Sequence, residues 1–62
     1  MTFAIHTYDV QQGWSLTKQS SSLDDFDNFD DKWAFNQILT EGIEYIQMGD
    51  TMWDVWEDDN EQ

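Results

Sequence analysis

Thirteen of the chain's fourteen acidic residues lie after position 23, opposed there by one lysine, Lys32. Residues 1–23 carry one acid, Asp9, and one base, Lys18, so the entire net charge of −12 sits on residues 24–62. Any fold open to the chain must leave these carboxylates in water, because burying an unpaired charge is prohibitive. It must also place the rings that lie among them. The stretch SLDDFDNFDDKW, residues 22–33, sets five aspartates around Phe26, Phe29 and Trp33.

A chain of 62 residues forms one domain at most, and buries only about 60 % of the surface its unfolded form exposes. With no cysteine, neither a disulfide nor a thiolate metal site can add stability. Apolar residues at 39 % and aromatics at 16 % are nonetheless too many for a disordered composition. The expectation is a single compact acidic domain over residues 1–57 with an acidic tail over 58–62. No apolar run approaches the roughly 18 to 20 residues of a membrane span, and the N-terminus MTFAIHTYDV lacks a basic segment followed by an apolar one. A soluble cytoplasmic protein is therefore expected. Its field repels nucleic acid and anionic membranes and attracts basic protein surfaces.

TFAIHTYDV and WSLTK are rich in β-branched and aromatic residues, and Gln11, Gln12 and Gly13 between them read as the connection of a β-hairpin. In that register Val10 faces Trp14, and Phe3, Ile5 and Leu16 are the candidate core. QSSS reads as a linker. At about 100° per residue, Phe35, Ile38, Leu39, Gly42, Tyr45 and Ile46 fall on one side and Asn36, Gln37, Thr40, Glu41, Glu44 and Gln47 on the other. This pattern predicts an amphipathic helix of about 18 residues, from near Asp31 to Met48, with Asp30 as N-cap and Gly49 as the left-handed stop. Gly42 would then let the helix lie close to a sheet. A competing reading pairs GIEYIQM with TMWDVWE as a second hairpin about a Gly49-Asp50 turn. It ranks lower because each strand face would mix apolar with charged residues. TMWDVW reads as a third strand with Trp53 and Val55 inward, or as a short helix capped by Asp50. The expected fold is thus α+β, in the order ββαβ.

On the helical wheel Phe26, Phe29 and Trp33 land opposite Phe35, Ile38 and Ile46. Either the helix starts near Asp30 and the phenylalanines cover the edge of the core, or the rings project among carboxylates. Aromatic anchors ringed by charge are the usual form of protein-binding hot spots. The charge itself exceeds the magnitude of about 2 to 8 that solubility asks of a small domain, and its self-repulsion opposes compaction. A functional field is the stronger reading. Carboxylates at i, i+3 and i+4 on a helix lie about 5 to 6 Å apart, so Asp24, Asp27 and Asp31, or Glu41 with Glu44, could stand in for phosphates if those segments are helical. The candidate partner surface comprises Asp24, Asp25, Asp27, Asp30 and Asp31, the rings of Phe26, Phe29 and Trp33, and Glu41, Glu44 and Asp54.

Other chemistries fit poorly. The segment from Asp25 misses the EF-hand pattern at Phe29 and Asp30 and has Asn36 at its twelfth position. His6 is the only histidine, which leaves a zinc site without ligands. There is no nucleophile motif and no glycine-rich phosphate loop. Acid–base catalysis needs a carboxyl desolvated in a pocket, for which so small a domain has little room. Two lysines without arginine cannot neutralise a phosphate track. A non-enzymatic protein without cofactor or metal is expected.

In size, acidity and lack of catalytic residues the chain resembles the small acidic inhibitors encoded by phages and mobile elements, among them DNA-mimicking anti-restriction, anti-CRISPR and glycosylase-inhibitor proteins. The resemblance is one of composition and rests on no shared motif. It implies inhibition of a basic nucleic-acid-binding protein in the host cytoplasm, without direct binding of nucleic acid. Two other readings are an immunity, antitoxin-like or accessory protein that binds a basic partner, and an acidic-aromatic interaction segment of activation-domain type, carried by DDFDNFDDKW and MWDVWEDD.

Overall fold

The two β-rich N-terminal segments pair as expected. In the computed structural model, which describes residues 1–57, strand β1 (Thr2–Asp9) runs antiparallel to β2 (Gly13–Ser20). The Asp9 carboxylate accepts hydrogen bonds from the backbone N–H groups of Gln11 and Gln12, both at 3.0 Å, and so organises the turn. Gly13 closes it at φ 78°, a conformation costly to any residue with a Cβ. Trp14 faces Tyr8 rather than Val10, which lies exposed in the turn. Only Ser21 and Ser22 remain of the expected linker, since Gln19 and Ser20 complete β2.

A short 3-10 turn, Leu23–Asp25, follows, capped by the Ser22 side chain. Helix α1 spans Phe29–Glu41. Its N-cap is Asn28, not Asp30: the Asn28 side chain accepts from the Asp30 N–H at 2.7 Å. Asp30 and Asp31 then occupy the first turn, where the macrodipole favours carboxylates. The helix stops at Gly42 (φ 71°), seven residues before the expected stop at Gly49. No atom lies within 4 Å of where a Gly42 Cβ would stand. Its role is the left-handed cap rather than a close approach to the sheet.

The C-terminal part of the expected helix is instead strand β3 (Tyr45–Met48), joined by Gly49 and Asp50 to β4 (Thr51–Trp56). Glycine at the first central position with φ 60° suits a two-residue hairpin turn. The lower-ranked hairpin reading is therefore correct over these residues. Mixed polarity along β3 is tolerated because it is an edge strand: the sheet order is β2-β1-β4-β3, all antiparallel. The fold is α+β in the order ββαββ, one strand more than expected, with the anticipated third strand present as β4. The expected acidic tail, 58–62, lies outside the described residues. Among the described residues, no helix is long and apolar enough to cross a membrane.

The helix covers one face of the sheet. Phe3 and Ile5 of β1 and Trp53 of β4 meet Ala34, Phe35 and Ile38 of α1, with Phe26 from the connecting loop. Leu23, Ile46 and Val55 pack at the margin. Phe3, Phe26 and Phe35 form a mutual edge-to-face trio with ring centroids 4.9 to 6.3 Å apart. Such pairs contribute about 0.5–1.5 kcal/mol each beyond the area they bury, which matters in a core this small. Leu16 is not part of it. A β-bulge between Ile5 and His6 sets Lys18 opposite Ile5 but Leu16 opposite His6, moving Leu16 to the outer face.

Candidate functional site

The 3-10 turn and the first turns of α1 enclose an open groove of about 560 Å³, lined by Leu23, Asp24, Phe29, Lys32, Trp33 and Asn36. Its apolar floor comes from two of the three expected anchors. Phe29 opens the helix with 78 % of its surface exposed, and Trp33, one turn on, is 41 % exposed. Residues four apart share a helix face, so the two rings form one surface. Phe26, the third expected anchor, is fully buried in the aromatic trio and presents nothing to a partner.

Phe26 is held inside from the sheet. Lys18 reaches from β2 across the loop, its Nζ 4.7 Å from the Phe26 ring centroid and donating to the Asp25 carbonyl at 2.6 Å. Asp25 also accepts a hydrogen bond from the Ser20 hydroxyl. This clasp fixes the loop against β2, so Asp25 serves architecture as well as charge. Asp31 is similarly engaged: the buried indole of Trp53 donates to its Oδ1 at 2.8 Å.

The carboxylates of Asp24, Asp27 and Asp30 are exposed and make no ion pair with any described residue, and of the three Asp24 lines the groove, together with Lys32. The regular helical spacing that would imitate successive phosphates is absent. Asp24 lies on the 3-10 turn, Asp27 in the loop and Asp31 on α1, while Gly42 breaks the helix between Glu41 and Glu44. Glu44 instead borders a second groove at the far end of α1, formed by Ile38, Leu39, Gly42, Ile43, Val55 and Glu57.

Asp54 stands apart from the other acids. It is opposite Ala4 in the sheet, on the face away from the helix, where Oδ1 lies 3.0 Å from His6 Nε2 and Oδ2 accepts from Trp56 Nε1 at 3.2 Å. Both oxygens are satisfied within the chain. The lone histidine thereby has a carboxylate partner that no sequence motif revealed. Among the described residues, no three His, Cys, Asp or Glu side chains converge as a metal site.

No protein-family model, no curated protein and no solved structure matches the chain.

Proposed function

We propose that this is a small acidic binding protein that inhibits a basic nucleic-acid-binding protein in the cytoplasm of its host cell, of the kind phages and mobile elements encode. The observation that carries this reading is the groove of Phe29 and Trp33 lined by Asp24, with the exposed Asp27 and Asp30 close by in sequence, all three carboxylates having no cationic partner among the described residues. Unpaired charge steers a cationic surface toward the groove, and the exposed rings supply non-electrostatic contact once it arrives. The inhibitor acts by occupying the partner's nucleic-acid site, in steric and electrostatic competition with the phosphate backbone.

A second reading is favoured by the irregular placement of the acids. Because Asp24, Asp27 and Asp31 do not share a helix, these acids fit a basic protein surface as well as they fit a groove shaped for a duplex. The partner would then be a basic protein that binds no nucleic acid, as for an immunity or antitoxin-like protein.

Affinity capture from a nuclease-treated bacterial lysate at low salt, with elution by rising salt, separates the two. Recovery of one nucleic-acid enzyme that the added protein blocks from DNA or RNA supports inhibition by mimicry. A single basic protein without nucleic-acid affinity supports the second reading. Capture that no longer depends on Asp24, Asp27 and Asp30, tested as the triple change to asparagine, removes the groove from either mechanism.

A further inference from the structure

An antiparallel sheet with one covered face ordinarily presents polar side chains on the other. The uncovered face here carries mainly aromatic and aliphatic side chains, with the exposed Gln19 and Gln47 on its two outer strands. The register places Tyr8 opposite Trp14, His6 opposite both Leu16 and Met52, Tyr45 opposite Asp54, and Trp56 opposite Thr2, all on the side away from α1. Tyr8, Trp14, Leu16, Tyr45 and Trp56 are each between 39 % and 53 % exposed. With roughly 200 Å² per aromatic side chain, the four rings alone expose on the order of 350 Å². That lies within the roughly 300–600 Å² of the largest, often functional, patch on a typical monomer.

The ionisable pair on this face is engaged within the chain. Asp54 is clamped between the His6 imidazole and the Trp56 indole N–H, and the rings of His6 and Trp56 lie 6.2 Å apart. Trp14 packs edge-on against Tyr8 at 5.4 Å. The result is a broad, nearly uncharged surface whose hydrogen-bonding atoms are partly spent on one another.

We propose that this outer sheet face joins two copies of the chain in a twofold, face-to-face dimer. The charge distribution selects that occupant. Among the described residues Asp54 is the only acid on the face, and the carboxylates of the 3-10 turn and α1 lie on the opposite side of the sheet. In a sheet-on-sheet pair, with sheets about 10 Å apart, the two helix layers are separated by well over the Debye length of about 8 Å at physiological salt. Two chains of charge −12 can therefore meet here with the carboxylates of the 3-10 turn and α1 held apart. A basic partner finds little charge to recognise on this face. Single-stranded nucleic acid could stack on the rings, but it needs cations alongside, and Lys18 and Lys32 both serve the helix side.

The area sets the strength. A standard interface takes about 800 Å² from each partner, roughly a fifth of the 4469 Å² that the chain exposes. A four-stranded face with a 350 Å² aromatic centre reaches that value only by including its rim. The dimer is accordingly weak, with a dissociation constant in the micromolar range. Asp9 and Asp50 in the hairpin turns and Glu57 beyond β4 stand at the ends of the strands. They supply the residual repulsion, so added salt tightens the dimer, opposite in sign to its effect on a cationic partner at the groove.

Analytical ultracentrifugation of the full chain from about 10 μM to 1 mM, at low and at high salt, tests the assignment. The expected result is a mass rising from 7.4 kDa toward twice that value with concentration, at lower concentration in high salt. Leu16→Lys and Tyr45→Lys, each at an exposed position opposite the His6 and Asp54 pair, should each weaken the dimer about tenfold or more while circular dichroism stays native. A monomer throughout, a dimer that salt dissociates, or a dimer indifferent to both lysines would overturn the proposal. A loss of native dichroism in one variant shifts the decision to the other and to the salt series of the native chain.

Discussion

The indole N–H of Trp53, in the middle of β4, donates to Oδ1 of Asp31 in the first turn of α1 at 2.8 Å. One carboxylate of the acidic cluster thus ties the helix to the sheet, and the indole it satisfies is 4 % exposed. Removing the acceptor leaves a buried donor unpaired, at a cost of about 1–3 kcal/mol. We expect Asp31→Ala to lower the unfolding free energy by that amount and Asp31→Asn, which keeps an acceptor oxygen, to lower it less. Asp27→Ala, in the loop and with no hydrogen bond to the core, should stay within about 0.5 kcal/mol of the native chain. Urea denaturation followed by tryptophan fluorescence distinguishes the three.

Phe26 and Phe29 are three residues apart and have opposite roles. Phe26→Ala empties the centre of the aromatic trio with Phe3 and Phe35, which should cost about 3–5 kcal/mol and leave a domain this small largely unfolded. Phe29→Ala and Trp33→Ala remove exposed rings, so thermal stability should change little while partner affinity falls by more than about 1 kcal/mol. Paired melting and binding curves for the three variants check this directly. Unfolding of the Trp33 variant would place that ring in the core instead.

The first hairpin, the helix and the inward turn of Trp53 were legible because each rests on local pattern: β-rich segments beside glycine, a polar and apolar division over Phe35 to Glu41, alternation through TMWDVW. The helix end was not. Ile38, Tyr45 and Ile46 align on a helical wheel, yet Ile46 equally satisfies a strand opposite Trp53, and the choice depends on the sheet edge that β4 offers to β3. Leu16 was misplaced for a related reason, since a bulge shifts its strand by one residue without any mark in the sequence. The inward Phe26 and outward Phe29 depend on the clasp from Lys18, a contact across strands that spacing does not encode.

The two glycines that decide the C-terminal half can be tested on conformation alone. Gly42 and Gly49 have φ of 71° and 60°, and a Cβ at either position would meet nothing within 4 Å. Alanine there should cost about 1–2 kcal/mol through the left-handed backbone and no steric clash. Backbone chemical shifts of the native chain should be extended over Tyr45–Met48 and helical only to Glu41. Helical shifts through Met48 would restore the longer helix and dissolve β3.

Charge gives the last prediction two readouts of opposite sense. The net charge of −12 comes from fourteen carboxylates against two lysines. Self-repulsion therefore subtracts from stability, and salt, by shortening the Debye length from about 30 Å at 0.01 M to about 8 Å at 0.15 M, should raise the melting temperature. The same salt should slow association of a basic partner with the groove. Changing Asp24, Asp27 and Asp30 together to asparagine should reproduce both effects at low salt: a higher melting temperature, a smaller association rate and a flatter salt dependence of that rate. Those carboxylates are exposed and not in the core contacts, so the gain in stability comes from relieved repulsion. A variant that melts lower than the native chain would show that the three acids hold the fold together, and would count against their being kept for a partner.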